Sequence, residues 1–472
     1  MLFNSLHFVY FLPIVFTLYW SIKHQWRWAL LLLASYYFYF SYNPWYCLLL
    51  IGTTCIDYLA AKQIDATSEQ KKKKQWLALS VISNIGVLVA FKYSIFLLNS
   101  ILFASNKITH SNYELLQAFI IPAGLSFYTF QSLSYTIDVY RGKYKPTDSL
   151  GFFALYVSFF PHMVAGPIVR YNSLMPQFYQ TQFLTKVDWG FAARAISWGF
   201  FKKLVIADRL SEIVTPVFTN VEAFSGSTHL LVGFLFVVQV YCDLSGYSDI
   251  ATGVAKLFGI NFSLNWRRPL LSKSLTEFWQ RNHISITTWF RDYLYIGLGG
   301  NRCSKKRWLL NIFLVFLISG LWHGANWTFL LWGTMHGLMY LVELMNNERA
   351  KPFKAPSLLA WFYLLLFHTI SLIAFRALNA GDLFSIYNKI IFEFQPSQLL
   401  TELHSIANYF PILLSAFFVL FLFVKELNEE FAILNKMKGY ESFTKPAFYI
   451  CIIIVIFVLG KFNANEFIYF QF

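Results

Sequence analysis

Long apolar runs recur along the whole chain and alternate with short polar segments. The longest runs lie near residues 8–22, 28–56, 76–103, 118–140, 189–207, 358–375, 408–424 and 447–461, and further apolar stretches end near residue 258 and occupy 319–337. Because a helix needs about 20 apolar residues to cross the hydrocarbon core of a bilayer, the chain can hold roughly ten to twelve spans. The pattern predicts an all-α polytopic membrane protein, with residues 1–472 as a single membrane-embedded domain.

The ends of the chain fit the same pattern. The first 20 residues lack the basic segment and the small-residue cleavage site of a secretory signal, so we expect a retained first helix. The motifs that carry chemistry lie between residues 120 and 345, and C-terminal spans are expected within 358–472.

Prolines and glycines interrupt the apolar segment 152–171. Pro161, Gly166 and Pro167 stand in this run, which also holds His162 and Arg170. Proline removes a helix donor and distorts the preceding turn, and non-helical backbone at membrane depth is tolerated only inside protein or beside a wet cavity. The segment is therefore predicted to be bent or re-entrant.

The stretch 278–302 is too polar to span lipid and too apolar for an ordinary loop, which predicts an interfacial or re-entrant helix. His283 follows Trp279 by four residues, so the two side chains should share one helical face.

Composition and charge agree with a membrane protein. The chain has 57% hydrophobic and 13% charged residues, with a formal net charge of +14. Its basic residues fall in clusters between apolar runs: Lys71 to Lys74, Lys202 with Lys203, Arg267 with Arg268, and Arg302 to Arg307. This distribution is that of cytoplasmic loops rather than of a nucleic-acid-binding surface. The clusters nearest the candidate site have a second interpretation, the attraction of an anionic cytoplasmic substrate.

Isolated charges near the spans need their own interpretation. Lys92 interrupts an apolar run, and we favour a side chain that snorkels to the interface over a broken helix. Lys202 and Lys203, followed by Asp208 and Arg209, are expected to mark a membrane boundary.

Several familiar site types are missing from the sequence. The five cysteines have neither metal nor redox spacing. The sequence also lacks a phosphate-binding P-loop, an HExxH pair and a G-x-S-x-G elbow. We therefore predict neither a metal site nor a bound cofactor.

The Trp-rich segment 319–337 carries the first candidate chemistry, at His323 and His336. A titratable group at membrane depth is costly and is usually kept for chemistry or transport, and histidine exchanges a proton near neutral pH. Hydrogen bonding between packed helices is an equally acceptable explanation for either histidine taken alone.

Two aspartates near the end of the run at 241–258 are further candidates. On a helix Asp243 pairs with Tyr247 and Asp249 with Ser245, each four residues apart. Capping and hydrogen bonding to neighbouring helices is the interpretation we favour for each aspartate.

Five segments in a fixed order carry a resemblance: FFPHMVAGPIVRY, GFFKKLVIADRL, YCDLSGYSDIATGVAKLFG, FWQRNHISITTWFRDYLYIGLGGNR and GLWHGANWTFLLWGTMHG. Together they resemble the membrane-bound O-acyltransferase (MBOAT) family, in particular its bacterial alginate and peptidoglycan O-acetyltransferase membrane subunits. The C-terminal FNANEFIYFQF is also similar to the alginate branch. The resemblance implies a helical bundle around a central tunnel in the bacterial cytoplasmic (inner) membrane.

The resemblance also implies roles for individual residues. His323 matches the family's catalytic histidine, which would act as the general base, and His283 matches its second polar position, where it would orient the donor or stabilise an oxyanion. His336, Asn326 and Trp322 are accessory candidates, together with the two aspartates above. Asn282 stands where the alginate branch usually has an aromatic residue. If residues 322–345 form one helix, His336 lies about 140° around it from His323.

The implied reaction takes an acetyl group from cytoplasmic acetyl-CoA for O-acetylation of a polysaccharide outside the cytoplasm. The sequence contains neither a soluble domain nor a serine motif for the final transfer, so a periplasmic acetyltransferase partner is expected. Two alternatives are D-alanyl transfer of the teichoic-acid type and, from a different class, a proton-coupled exporter of polysaccharide or lipid. Against the exporter, we find no duplicated motif.

Overall fold

The computed structural model describes residues 1–109, 122–347, 356–431, 441–462 and 467–468, and these residues are helical without strands. They form two compact units, one of residues 1–196 with 250–263 and one of 197–249 with 264–468, each taken within the described ranges. That the whole chain acts as one domain stays a prediction.

The first unit is built from nine helices and two short helical turns. They are α1 (Leu6–Ser21), α2 (His24–Phe40), α3 (Pro44–Ala66), α4 (Gln70–Leu88), α5 (Ser94–Thr109), α6 (Leu125–Tyr140), α7 (Leu150–Ser158), α8 (Tyr171–Tyr179) and α9 (Trp189–Phe200), with a π-helical turn at Val89–Tyr93 and a 3₁₀ turn at Leu184–Lys186. The last turn of α9 belongs to the second unit.

The second unit contains the remaining helices, except for the end of one helix. They are α10 (Asp208–Thr219), α11 (Gly226–Leu257), α12 (Leu275–Arg281), α13 (Ile284–Trp289), α14 (Lys305–His323), α15 (Trp327–Asn347), α16 (Ser357–Arg376), α17 (Ala380–Phe392), α18 (Leu399–Ile406), α19 (Tyr409–Phe431) and α20 (Glu441–Leu459). From Ile250 onward, α11 belongs to the first unit. Shorter turns are π-helical at Phe201–Ala207 and Phe290–Tyr295 and 3₁₀ at Val221–Ala223, Pro269–Leu271 and Pro396–Gln398.

Five helical segments of the described residues are long and apolar enough to cross a bilayer: Pro44–Ala66, Gln70–Phe103, Gly226–Leu257, Ser357–Arg376 and Tyr409–Phe431. Two shorter apolar helices are Leu6–Ser21 and Pro446–Leu459. The predicted all-α multi-pass membrane protein is confirmed, whereas ten to twelve spans stays a prediction. Residues 118–121 of the apolar run 118–140 and most of the C-terminal segment 462–472 lie outside the described residues.

A buried carboxylate joins three helices of the first unit. Asp57 of α3 is fully buried and accepts hydrogen bonds from Ser80 Oγ (2.5 Å) and Asn84 Nδ2 (2.8 Å) of α4. Ser132 Oγ of α6 donates to the same carboxylate. Because an unpaired buried charge is costly, these donors fix the relative positions of α3, α4 and α6.

Irregular backbone follows α7, as the sequence predicts. The helix ends at Ser158, and residues 159–169 continue without helix and are buried. Tyr156 Oη donates to the carbonyl of Val169 (3.2 Å). The predicted bent segment is therefore embedded in protein, which is the setting in which non-helical backbone is tolerated.

Two predictions about charges are wrong, and one apolar run is divided. Lys92 does not snorkel: it is 6% exposed within the π-helical turn that interrupts the long helix, which is the broken-helix alternative. Lys202 and Lys203 are 3% and 1% exposed, so they are not loop cations, whereas their place at a membrane boundary stays a prediction. The apolar run 28–56 is two helices, because the chain turns at residues 41–43 before Asn43 caps α3.

Candidate active site

A cavity of about 590 Å³ lies within the second unit, along α14 and α15. Its walls include two stripes at helical spacing, Trp308, Ile312, Val315, Phe316, Ser319 and His323 on α14, and Trp332, His336, Tyr340 and Leu344 on α15. At 1.5 Å per residue, the α14 stripe extends about 22 Å. Residues of α11, α12, α13 and α16 complete the wall, so the cavity is long, narrow and lined mainly by apolar and aromatic side chains.

His283 enters this cavity from a break between α12 and α13. Its backbone has φ 43° and ψ 53°, the left-handed region that a side chain makes unfavourable. The following turn is held by Asn265, whose carbonyl accepts from the Ile284 N–H (2.9 Å) and whose Oδ1 accepts from the Ser285 N–H (3.0 Å). Asn265 Nδ2 donates in turn to Ser248 Oγ of α11 (3.1 Å). These hydrogen bonds, called the Asn265 bracket below, fix the strained residue His283 at the cavity wall.

Burial sets the protonation state of His283, which lies outside the five spanning segments. Desolvation lowers the pKa of His283 to about 3, and the ring lies 5.2 Å from the ring of Trp266. At physiological pH the imidazole is therefore neutral, with one nitrogen that donates and one that accepts.

His323 is the last residue of α14, because the extended backbone of Gly324 ends the helix. Three aromatic rings surround its imidazole, with ring centroids at 4.7 Å for Trp322, 5.0 Å for Trp332 and 5.2 Å for Phe375. His323 is half-buried, and the three rings reduce the contact of its imidazole with water, which strengthens the electrostatic interactions made there.

The chain reverses direction directly after His323, and the assumption that 322–345 is one helix is wrong. Helix α15 begins at Trp327 and packs along α14. His336 therefore does not lie 140° away on a common helix but lines the same cavity as His323. The ring of Trp332 contacts both histidines, with its centroid 5.0 Å from His323 and 4.5 Å from His336.

The predicted interfacial helix over 278–302 is also divided, so Trp279 and His283 do not share a helical face, although both line the cavity. Glu343 of α15 caps α12: its carboxylate accepts from the N–H groups of Leu275 (2.7 Å) and Thr276 (3.1 Å). This contact anchors the short helix that precedes His283.

The remaining accessory candidates lie beside the cavity rather than in its wall. Trp322 is buried and packs against His323. Asn326 caps α15: Oδ1 accepts from the Thr328 N–H (3.2 Å), and Nδ2 donates to the carbonyl of Leu378 (2.9 Å). Both residues shape the turn that carries His323.

Asp243 and Asp249 are held in ion pairs away from the cavity. Lys203 Nζ lies 2.6 Å from Asp243 and 2.9 Å from Asp208, and Lys202 Nζ lies 2.8 Å from Asp249. Pairing with buried lysines explains both aspartates, so the structural interpretation fits the geometry, with ion pairs in place of caps.

Sequence reasoning did not select three residues of this region. His368 of α16 lines the cavity, and Ser371 hydrogen-bonds to His336 (3.1 Å). His368 could have been found by the criterion used for His323, since it also interrupts an apolar run. Asn265 carries no such signal, because its role depends on a contact across the fold.

Comparison with known proteins identifies the class. Residues 147–374 match the model of the membrane-bound O-acyltransferase family, MBOAT. The probable alginate O-acetylase AlgI of Pseudomonas aeruginosa is 39% identical over 405 residues, covering 84% of this chain and 76% of the relative. The chain belongs to the membrane-bound O-acyltransferase family and is an acyltransferase, which decides against the exporter.

Further relatives refine the position within the family. The peptidoglycan O-acetyltransferase of Helicobacter pylori is 34% identical over 413 residues, covering 80% of this chain and 77% of the relative. The teichoic acid D-alanyltransferase of Streptococcus thermophilus is 26% identical over 255 residues, covering 48% and 60%. The predicted resemblance to the acetyltransferase branch is thus confirmed.

Proposed function

We propose that this protein takes the acetyl group of cytoplasmic acetyl-CoA for the O-acetylation of a polysaccharide outside the cytoplasm, an alginate-like exopolysaccharide or peptidoglycan. The observation that carries the proposal is that His283 and His323 line one aromatic-rich cavity. The relatives named as alginate O-acetylase and peptidoglycan O-acetyltransferase support the acetyl group and the class of polymer.

In the proposed reaction His323 takes the proton of an acceptor hydroxyl as its oxygen attacks the thioester carbonyl. The C–S bond then breaks, and the proton passes from His323 to the leaving thiolate. His283, neutral and fixed by Asn265, donates a hydrogen bond to the oxyanion as it forms. The aromatic rings around His323 limit hydrolysis of the thioester by excluding water.

The position of charge supports entry of the donor at the end of the cavity opposite His323. Arg291 lines the cavity with its side chain 61% exposed, and the exposed cluster Arg302 to Arg307 begins α14. From Lys305 to His323, α14 rises about 27 Å, close to the thickness of a bilayer core. Basic groups at a cytoplasmic entrance would attract the phosphates of the donor, while its acetyl group reaches His323 near the other face.

We further propose that the chain lies in the bacterial cytoplasmic membrane and passes the acetyl group to a periplasmic partner that completes the ester. Reconstitution of the purified protein with acetyl-CoA and candidate polymer tests the relay. Efficient acetylation of polymer in the absence of any second protein would refute it.

The acetyl-transfer proposal is tested by the rate of acetyl-CoA consumption in proteoliposomes. His323→Ala should reduce the rate by about 10² to 10⁴-fold, the usual cost of losing a positioned base. His404→Ala is the matched control, because His404 is exposed on α18 and stacks only on Tyr409 among the ring contacts of the described chain. This control should retain the wild-type rate.

Near wild-type turnover by a correctly inserted His323→Ala protein would overturn the assigned role. Replacement of acetyl-CoA by an aminoacyl carrier-protein thioester tests D-alanyl transfer in the same assay. We expect a slow or absent reaction with that donor, because the D-alanyltransferase covers only about half of this chain.

A further inference from the structure

A second pair of histidines lines the same cavity beside the His323 region. His336 of α15 is 1% exposed and His368 of α16 is 3% exposed, with ring centroids 5.5 Å apart. The His368 ring also packs on Phe278, with centroids 3.8 Å apart. The proposed proton transfer does not use either residue, so two polar rings at membrane depth remain without an assigned task.

Ser371 contacts both histidines of the pair. Its hydroxyl can donate to the backbone carbonyl of His368 (3.2 Å). When it does so, Ser371 Oγ accepts in its 3.1 Å contact with His336, and His336 Nε2 carries the proton. In this tautomer the other nitrogen, Nδ1, is a hydrogen-bond acceptor.

Both rings have an unsatisfied nitrogen. Among the described residues, neither Nδ1 of His336 nor Nε2 of His368 has a hydrogen-bond partner. A buried polar group without a partner is destabilising, so a ligand that supplies the missing partners is bound more tightly than an apolar chain. The described residues hold no cluster of His, Cys, Asp and Glu suited to a metal ion, which favours an organic ligand.

The order of side chains along α15 indicates which part of a ligand meets this pair. Starting near His323, the stripe reads Trp332, His336, Tyr340 and Leu344. A linear donor that enters at the end where α14 begins and presents its thioester to His323 at the end of α14 must pass His336. The group that lies there is the arm directly behind the thioester.

We propose that His336 and His368, with Ser371 as a positioning residue, bind an amide of a pantetheine-type arm. His336 Nδ1 accepts from the amide N–H, and His368, in its Nε2–H tautomer, donates to the amide carbonyl. An amide offers one donor and one acceptor, which matches the two unsatisfied nitrogens. The inference rests on the proposed function, and the arm is shared by coenzyme A and by carrier-protein thioesters.

The experiment compares donors that carry or lack the amide. For acetyl-CoA, His336→Ala and His368→Ala should each raise KM about 2 to 13-fold with little change in kcat, the range for loss of one hydrogen bond. Ser371→Ala should raise KM in the same direction, and Ser371→Thr, which keeps the hydroxyl, should restore it. S-ethyl thioacetate has no amide, so wild type and all variants should consume it at equal rates. His404→Ala again serves as the control.

A second part of the experiment uses acetylated carrier protein as the donor. An equal rise in KM for both donors in the variants supports binding of the pantetheine-type arm that the donors share. The donor with the lower KM for the wild-type protein is then the source of that arm. If a variant does not fold, His336→Asn retains a carbonyl acceptor and should have an intermediate KM.

Two results would overturn the inference: an unchanged KM for acetyl-CoA in folded His336→Ala, or an equal loss of rate with S-ethyl thioacetate. Failure of the proposed function is a different result, namely wild-type protein that does not consume acetyl-CoA.

Discussion

At the scale of single residues, His283 combines a functional side chain with an unfavourable backbone. Its positive φ is held by the Asn265 bracket and not by local preference. Strain of this kind costs on the order of 1 to 3 kcal/mol and persists where the surrounding structure enforces it.

Because the backbone of His283 is strained, the loss of its imidazole and the relief of its backbone strain can be measured separately. His283→Ala and His283→Gly both remove the imidazole and should lower acetyl transfer equally. Only glycine relieves the backbone strain, so His283→Gly should be more stable than His283→Ala by about 1 kcal/mol. It should therefore unfold at a higher temperature. Thermal unfolding in detergent, followed by transfer assays at matched protein amounts, measures both. Equal unfolding temperatures would contradict the strain.

Single residues were the part of the site that the sequence predicted best. His323 and His336 were selected because a histidine at membrane depth is improbable without a use, and His283 through the family resemblance; all three line one cavity. Asp243 and Asp249 looked equally improbable, but their lysine partners are 40 and 47 residues away in sequence. A charge and its distant partner cannot be matched from one sequence.

At the scale of elements, α14 and α15 approach each other through glycines. A Cβ on Gly333 would lie 2.6 Å from the carbonyl oxygen of Phe316, and one on Gly320 would meet the carbonyl of Phe329. In lipid the hydrophobic effect does not drive helices together. Helix packing there usually depends on small residues that let the two backbones approach closely.

Gly333→Ala should therefore push α15 away from α14, lower stability by about 1 to 3 kcal/mol and reduce acetyl transfer. Gly86→Ala is the matched control, because a Cβ on this helical glycine of α4 meets no atom within 4 Å. The control should be neutral or more stable by about 0.4 to 1 kcal/mol, since alanine restricts the unfolded chain. A Gly333→Ala protein as stable and active as the control would contradict the close approach.

Helices were predicted more reliably than their ends. Apolar runs located α1 and α16, the end of α11 and the start of α19 to within a few residues. The breaks at 41–43, 282–283 and 324–326 were missed, because apolar residues continue through or around them. What ends these helices is capping and tertiary hydrogen bonding, as at Asn43 and Asn265, and not a change in hydrophobicity.

At the scale of the whole molecule, buried charge joins distant parts of the second unit. Lys203 pairs with Asp208 and Asp243, and the Asp243 carboxylate also accepts from the Ile468 N–H (2.7 Å). The Lys203 ammonium lies 4.3 Å from the ring of Phe467. A few polar contacts thus fix the described C-terminal residues to α11.

Lys203→Met should lower stability by about 3 to 5 kcal/mol, because two buried carboxylates lose their cation. Conversion of both carboxylates in the same protein, with Asp208→Asn and Asp243→Asn, should recover most of the loss. Lys72→Met removes an exposed pair with Glu69 and should leave the unfolding temperature unchanged. Equal unfolding temperatures for Lys203→Met and Lys72→Met would show that the network adds nothing.

The orientation of the molecule is a further prediction. Lys71 to Lys74 and Arg302 to Arg307 are the dense basic clusters that remain at exposed positions, so both should face the cytoplasm. Cys303 is exposed within the second cluster and is a native probe. An impermeant maleimide should label it only after cells are opened, with Cys303→Ser as the blank. Labelling on intact cells would reverse the assigned topology.

The glycine contact between α14 and α15 has a consequence for how the enzyme meets different membranes. The two helices touch at the backbone and are joined by only three residues, so they form a rigid hairpin. Hydrophobic mismatch with a thinner or thicker bilayer is then relieved by tilting the hairpin as one body. His323, Trp332 and His336 move together, so bilayer thickness alters access to the cavity ends while the spacing of its reactive groups stays constant.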